Sequence, residues 1–381
     1  MFKSKDVLNL VVWGFAVFTL VFSFPVYAAE KPPIKIGVTL PLSGPLALNG
    51  QKYHNAIKLV TKKINAEGGI LKGSKIELII YDDKGNTEEA VNTIKKLINR
   101  DKVDACVTGA ISAPVLAQKE VTREAKMMHV VLTAQHPKIT LEGHPYLFRL
   151  NTTTYMGADA ISRYVIEKLK PKTAWFLGIN DDYGRDLAKR YESNFEKPGI
   201  KFLGFEYYNK DDTDFMIYLT KGKALNPGVF MMAAPANAIS STILKQRKQI
   251  GFTGPITQSP GVLAQIVVTL AGDASEGVYS GDSWVRTLDN PVNKEFIETY
   301  EKEYKPLFAG KEEAVAYESV LFLTQAMDKA GTSRDAEKIA NVFRTTTFNG
   351  ARGKITFDKI GQALATDYPI VVKNGQIVLA E

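Results

Sequence analysis

The 381-residue sequence contains one cysteine, four histidines and no run of basic residues. The single cysteine, Cys106, excludes an intramolecular disulfide and any metal site built from several cysteines. No two histidines have the spacing of a metal-binding pair on a helix. The sequence also lacks a nucleophile elbow and a glycine loop of the phosphate-binding kind. We therefore expect a protein that is not an enzyme and that uses no cofactor and no bound metal ion.

The charge is moderate and evenly spread. The sequence has 48 Lys and Arg against 41 Asp and Glu, a formal net charge of +7. Basic residues form no tract along the chain, so we expect no nucleic-acid partner. With 45% hydrophobic and 23% charged residues, the composition is that of a folded globular protein, and the length suggests two domains.

The N-terminal segment is predicted to be a signal peptide. Lys3 and Lys5 precede an uncharged stretch that runs from Val7 to Ala28 and is broken by Pro25. Val26-Tyr27-Ala28 has the small residues that a signal peptidase accepts, so residues 1–28 are predicted to be removed. The alternative is an uncleaved membrane anchor. An exported protein without disulfides suggests the bacterial periplasm, reached through a cleaved signal peptide.

Strand and helix signals alternate through the rest of the chain, beginning with the apolar run Ile34 to Leu40. The alternation restarts at about Tyr146, which suggests two lobes of similar architecture. Strands that alternate with helices of this length predict βαβ units and parallel sheets covered on both faces. Near the end, Asn374-Gly375 between two apolar runs predicts a tight hairpin. The fold class is therefore α/β.

A series of different short motifs lies at predicted strand ends and turns along the whole predicted mature chain. They are Lys35-Ile36-Gly37-Val38, Pro41-Leu42-Ser43-Gly44-Pro45, Asn65-Ala66-Glu67-Gly68-Gly69-Ile70, Tyr81-Asp82-Asp83, Pro137-Lys138-Ile139-Thr140, Phe148-Arg149, Asp182-Tyr183-Gly184, Asp214-Phe215 and Gly353-Lys354-Ile355-Thr356-Phe357-Asp358. In this order they resemble the Leu/Ile/Val-binding protein family of periplasmic solute-binding proteins, the receptors of ABC importers.

The resemblance implies a type I periplasmic binding protein, with two Rossmann-like lobes joined by three crossings. On this basis lobe 1 is predicted to comprise residues 31–151 and 282–352, and lobe 2 residues 152–281 and 353–381. A small-molecule ligand would lie between the hinged lobes, and the liganded form would dock on a membrane permease. The protein is expected to act as a monomer.

The resemblance also assigns a carboxylate-binding half of the site to the first lobe. Ser112 matches a serine that holds the ligand carboxylate, although a serine at a helix start is also a common helix cap. Thr133, Ala134 and Gln135 match the next strand end, where backbone and a hydroxyl hold the same carboxylate; here the hydroxyl position is Gln135. Asn49 lies in a loop that would form a wall of the site.

In the second lobe, Tyr183 matches a cleft tyrosine, but two positions depart from the family pattern. Pro235 stands where an aromatic residue is expected, and Pro260 where an acid would pair with the ligand ammonium. Because an ammonium buried without a counter-charge is costly, these positions predict a small carboxylate without an α-amino group. The alternative is that Glu276, Asp282 or Glu318 supplies the charge, in which case the ligand is an amino acid.

Two functions remain open from sequence. The first is the substrate-binding component of an ABC importer of the branched-chain amino acid type, which closes around its ligand by hinge motion. The alternative is a periplasmic sensory or regulatory module of the same fold. The predicted signal peptide argues against a cytoplasmic regulator.

Overall fold

The computed structural model describes residues 31–381 apart from Ala110 and Glu142, and only the backbone of Pro45. The predicted signal peptide, residues 1–28, lies outside the described residues. Within the part of the chain that is described, no helix has the length and apolar character needed to cross a membrane.

Parallel strands dominate the structure, as the alternating pattern predicts. The strands are β1 (Ile34–Leu40), β2 (Ile76–Asp82), β3 (Ala105–Thr108), β4 (Met128–Val131), β5 (Leu147–Arg149), β6 (Thr173–Ile179), β7 (Lys201–Tyr208), β8 (Val229–Ala233), β9 (Ile256–Thr257), β10 (Val278–Asp282), β11 (Phe348–Gly350), β12 (Gly353–Phe357), β13 (Ala363–Leu364), β14 (Tyr368–Lys373) and β15 (Gln376–Leu379). Most residues of β1, β3 and β4 are buried, since helices cover both faces of their sheet.

Helices connect successive strands, and polar side chains cap several of them. The helices are α1 (Ala47–Ala66), α2 (Thr87–Asn99), α3 (Ser112–Glu124), α4 (Lys138–Leu141), α5 (Thr154–Tyr164), α6 (Asp182–Glu196), α7 (Met216–Ala224), α8 (Asn237–Gln249), α9 (Gln265–Ala271), α10 (Pro291–Glu303), α11 (Lys311–Ala330) and α12 (Ala336–Thr345). The Asn86 side chain caps α2, Thr153 caps α5 and Asp181 caps α6 by accepting from free amides of the first turn.

Two sheets share one strand topology. The first has the order β2-β1-β3-β4-β5, with every neighbouring pair parallel. The second has the order β15-β14-β10-β9-β8-β6-β7. Its strands β6 to β10 are parallel, whereas β14 is antiparallel to β10 and forms an antiparallel hairpin with β15. Asn374 and Gly375 form the hairpin turn with φ of 52° and 70°, as predicted for Asn-Gly.

The topology indicates where a ligand would bind. In open parallel sheets the crevice lies beyond the carboxyl ends of the strands, where the strand order reverses. The first sheet reverses between β1 and β3, and the second between β6 and β8. The segments that follow these four strands carry Asn49, Ser112 and Tyr183 in the first turns of helices and Pro235 in a loop.

The end of the chain bears on one predicted lobe boundary. Residues 353–364 are predicted to belong to lobe 2, whereas β12 and β13 pair with β11 in a separate sheet that contacts β5. Phe357 packs edge-on against Phe148 with ring centroids 5.5 Å apart, and Arg149 N donates to Gly361 O at 2.8 Å. Only β14 and β15 join the second sheet. We therefore propose that the third crossing lies at residues 365–367 rather than at 352.

Candidate ligand-binding cleft

Ser112 is the first residue of α3, and its hydroxyl does not cap the helix. The cap position is Ile111, whose side chain has no capping oxygen, so the interpretation of Ser112 as a plain helix cap is wrong. The Ser112 Oγ instead accepts a hydrogen bond from His136 N at 3.3 Å. This contact connects the start of α3 to the loop after β4, beside the Ser112 and Ala113 N–H groups, which have no acceptor among the described residues.

The strand end after β4 holds the predicted Thr133 and Ala134. Both backbone N–H groups donate to Gly109 O at 2.9 Å, so these amides already have partners. The Thr133 hydroxyl shares a 2.8 Å hydrogen bond with the buried Tyr53 hydroxyl, and either can donate. Burial raises the pKa of Tyr53, which keeps this phenol protonated. The pair therefore offers hydroxyl groups rather than amides to an anion.

Gln135 reaches from this strand end to the second half of the molecule. Its Oε1 accepts from Thr154 Oγ1, at the start of α5, at 3.1 Å. Its Nε2 lies 3.8 Å from where a side chain on Gly261 would begin. Gln135 thus joins a small cavity that we call the cleft cavity, lined by Gln135, Asn151, Thr152, Thr153, Thr154, Gly157, Pro260, Gly261, Asp282, Lys311 and Asp367.

On the opposite side, Tyr183 lies in the first turn of α6 and is partly buried. Burial raises the pKa of Tyr183 to about 12, and the neighbouring Ser259 hydroxyl opposes the shift. Ser259 Oγ also accepts from Ala234 N at 2.8 Å, linking the ends of β8 and β9. Since Pro235 follows Ala234 and Pro260 follows Ser259, the two prolines belong to adjacent strand ends.

The two prolines differ in exposure. Pro235 is exposed, whereas Pro260 is buried against α5. A side chain on Gly157 would begin 2.5 Å from Pro260 Cβ, so the glycine is what allows the ring to lie over the helix start. Neither proline can donate a hydrogen bond or accept one through its side chain. Asn49, on the other wall, is exposed within α1 beside the exposed Leu48.

Three ionisable side chains meet at the cleft cavity, and sequence reasoning identified only Asp282. Lys311 Nζ donates to Gly261 O at 2.7 Å and lies 3.6 Å from Asp282 Oδ2. Asp367 accepts from Thr152 Oγ1 at 3.0 Å through Oδ1. Burial raises the pKa of Asp367 to about 7, and Asp282 pushes it in the same direction. Lys311 begins α11 without any motif, so no signal in the sequence marks it.

Of the acids considered as partners for an ammonium, only Asp282 lines the cleft cavity. Glu276 accepts from the backbone N–H groups of Asn374 and Gly375, at the far hairpin. Glu318 is fully buried and paired with Arg352. Asp282 already faces Lys311 and accepts from Ser283 N at 2.7 Å. Of the two carboxyl groups that line the cavity, Asp282 therefore has a cationic partner, whereas Asp367 forms no ion pair with a described residue.

A second, larger opening adjoins the cleft cavity through Gly261, Asp282 and Lys311. Its volume is about 640 Å³, within the range of small-molecule sites. Its walls are mainly apolar and come from α9, the segments before α10 and α11, and the β14–β15 hairpin; they include Leu263, Ile266, Trp284, Leu307, Phe308 and Ile370. This side groove offers room for an apolar body next to polar groups. Within the described residues, no three His, Cys, Asp or Glu side chains are placed to hold a metal ion.

The fold defines a class of protein: two α/β units with one strand topology, whose strand ends border the residues described above. Residues 33–376 match the model of the periplasmic binding protein family. The chain belongs to that family.

Individual relatives give the same result. A "Leucine-, isoleucine-, valine-, threonine-, and alanine-binding protein" of Pseudomonas aeruginosa is 28% identical over 350 residues, 91% of each chain. A branched-chain amino acid transporter substrate binding protein of Streptococcus pneumoniae, solved with isoleucine, is 28% identical with a TM-score of 0.79, covering 92% of this chain and 99% of that one. A solute binding protein of an ABC transporter of Rhodopseudomonas palustris, solved with a dihydroxybenzoic acid, is 24% identical with a TM-score of 0.78, covering 92% and 96%. The predicted family, fold class and solute-binding function are confirmed, and the sensory alternative is not favoured.

Proposed function

We propose that this protein is the solute receptor of an ABC importer and that its ligand is a small carboxylate with an apolar or aromatic body and no α-amino group. The observation that carries the proposal is Pro260, which is a buried ring at a position that the family resemblance matches to the acid facing the ligand ammonium. Asp282, the second-sheet carboxylate that lines the same cavity as Pro260, already faces Lys311.

The physical reason is the cost of burying an unpaired charge. An ammonium placed between the sheets loses its water and finds a proline instead of a carboxylate. The loss of hydration without a partner costs several kcal/mol, about a hundredfold or more in affinity. The anionic end of a ligand has hydrogen-bond donors available, because the hydroxyl groups of Ser112, Thr133 and Tyr53 lie beside the amides at the start of α3.

Relatives of the same fold support both ligand classes. The Pseudomonas aeruginosa relative is named for amino acids and the Streptococcus pneumoniae structure holds isoleucine, whereas the Rhodopseudomonas palustris structure holds an aromatic acid without an amino group. The fold therefore accommodates either class, and local residues select between them. Pro235, Pro260 and the apolar side groove support the amino-free acid.

Calorimetry with leucine, its keto-acid analogue and benzoate tests the proposal. We expect at least one of the two acids to bind about a hundredfold more tightly than leucine. Micromolar or tighter leucine binding, with both acids much weaker, would overturn it and indicate an amino-acid receptor. The variant Pro260→Glu restores the acid and should improve leucine binding while weakening the acids.

The location and partners follow from the same proposal. A member of the periplasmic binding protein family is expected in the periplasm, as a monomer that delivers its ligand to a membrane permease. The predicted cleavage site is tested by N-terminal sequencing of the exported protein, which should begin at Ala29. A protein that retains residues 1–28 in the membrane fraction would indicate the uncleaved anchor instead.

A further inference from the structure

We propose that the cleft cavity is a subsite for a hydroxyl group of the ligand, held between Asp367 and Gln135. The inference rests on the proposed function, since it names a second group on the same carboxylate ligand. It narrows the substrate class from amino-free acids to hydroxylated ones.

The first observation is an acceptor without a donor. Asp367 uses Oδ1 to accept from Thr152, whereas its Oδ2 is buried and has no hydrogen-bond partner among the described residues. A buried carboxylate oxygen left unpaired loses the full free energy of its hydration, so such atoms usually face a ligand or an ordered water. Asp367 lines the cleft cavity, where either can reach it.

The second observation is a donor without an acceptor. The Gln135 amide accepts from Thr154 through Oε1, which fixes its orientation. Its Nε2 then points toward Gly261, and no described residue accepts from it. Gln135 and Gly261 both line the cleft cavity, and Lys311 Nζ also lies beside Gly261. The cavity therefore combines one unused acceptor with one unused donor.

The charges around the cavity exclude other groups. A second carboxylate would face the negative charge of Asp282 and, above the pKa of Asp367 at about 7, that of Asp367 as well. An ammonium would lie beside Lys311, and it could not accept from Gln135. A hydroxyl is neutral and both donates and accepts, so it matches Asp367 Oδ2 and Gln135 Nε2 together.

The position also fits the rest of the site. Gln135 directly precedes His136, whose N–H contacts Ser112, so one short segment leads from the carboxylate end to the cavity. The cavity has room for about one water molecule, which is the size of a hydroxyl group. A water that fills it in the unliganded protein would be replaced by the ligand hydroxyl with little change in hydrogen bonding.

Matched ligand pairs test the subsite. Calorimetry compares benzoate with its meta- and para-hydroxy derivatives, and the keto-acid analogue of leucine with the corresponding hydroxy acid. In the wild-type protein, at least one hydroxylated member should bind about tenfold or more tightly than its partner, as expected for a hydrogen bond to a charged group. Equal affinity within every pair overturns the subsite while leaving the amino-free ligand in place.

Failure of the proposed function gives a different result, because leucine would then bind more tightly than all of these acids. Asp367→Asn replaces the acceptor with a donor and should remove the preference for the hydroxylated acid without weakening the unhydroxylated one. If that variant does not fold, Gln135→Met removes the donor at similar length. Asp211→Asn, at an exposed position, serves as the control and should keep the wild-type ratio. A purely structural Asp367 would weaken both members of each pair equally, which also overturns the inference.

Discussion

Two pairs of opposite charge lie near the crossings between the sheets, and they are built differently. Arg352 and Glu318 are completely buried, joined at 2.6 Å, and the Arg352 N–H adds a second bond to Glu318 at 2.8 Å. Lys311 and Asp282 are 3.6 Å apart beside a cavity. The charged groups of the first pair have hydrogen-bond partners on all sides, whereas the second pair borders Asp367, whose Oδ2 has none among the described residues.

The difference indicates a structural role for the Arg352–Glu318 pair and a ligand-binding role for the surroundings of the Lys311–Asp282 pair. Arg352 also donates to Leu150 O at 3.0 Å, in the first crossing, and lies 3.5 Å from the Ser283 hydroxyl in the second. This pair therefore fixes the crossings relative to α11 and leaves nothing for a ligand. Beside Lys311 and Asp282, by contrast, Asp367 Oδ2 has no hydrogen-bond donor among the described residues. This costs free energy in the unliganded protein, and a bound ligand that donates to Oδ2 would recover it.

The largest expected effect tests the saturated pair. Glu318→Gln should lower the free energy of unfolding by about 3–5 kcal/mol, because the Arg352 guanidinium is left buried without a counter-charge. Urea denaturation followed by circular dichroism measures the change. The control is Glu298→Gln, at an exposed position of α10, which should unfold like the wild type. A loss no larger than the control's would show that the two pairs do not differ as described.

The same contrast explains how far sequence reasoning reaches. The apolar run Ile34 to Leu40 and the Asn374-Gly375 turn predict their elements well, because local pattern and turn chemistry determine them. The strand ends are predictable too, since parallel sheets place their loops at one edge. Lys311 and Gly261 are 50 positions apart, and only the tertiary fold brings them together.

Other features escape sequence reasoning for the same reason. In sequence Ser112 fits a helix cap as well as a binding residue, but α3 begins at Ser112 and Ile111 occupies the cap position. Residues 353–364 form strands that resemble a continuation of the second lobe, yet their aromatic contacts are with Phe148 of the first sheet. Asp367 has no neighbouring motif, and its unpaired oxygen is visible only in three dimensions.

A smaller effect is expected at the carboxylate end, where polar groups are again left for a ligand. Ser112→Ala should weaken binding of the carboxylate by about 1.5–3 kcal/mol, the range for a hydrogen bond to a charged group. The free energy of unfolding should change little, because the Ser112 hydroxyl does not cap α3 and accepts only a long bond from His136. Calorimetry and urea denaturation of the same preparation measure both quantities. Unchanged affinity combined with a clear loss of stability would make Ser112 structural.

The smallest expected effect is a pH dependence of the free energy of unfolding that comes from Asp367. Burial raises the pKa of Asp367 from 3.8 to about 7, so the folded protein holds a proton that the unfolded chain releases between these values. Stability from this group is therefore present at low pH, falls as the pH rises from about 4 to about 7, and stays constant above.

Each unit of pKa shift corresponds to about 1.4 kcal/mol, and partial solvent exposure reduces the effect, so we expect a change of about 1–2 kcal/mol. Asp282, Lys311 and Arg352 face the same carboxyl, and Glu313, with its pKa also raised to about 7, acts in the same direction elsewhere. Subtracting the unfolding curves of wild type and Asp367→Asn isolates Asp367: the variant should gain stability relative to wild type between about pH 4 and pH 7. The Asp211→Asn control should show a constant difference over this range. If the Asp367→Asn difference is equally constant, Asp367 has partners in solution, and the surroundings of the Lys311–Asp282 pair are as fully bonded as those of the Arg352–Glu318 pair.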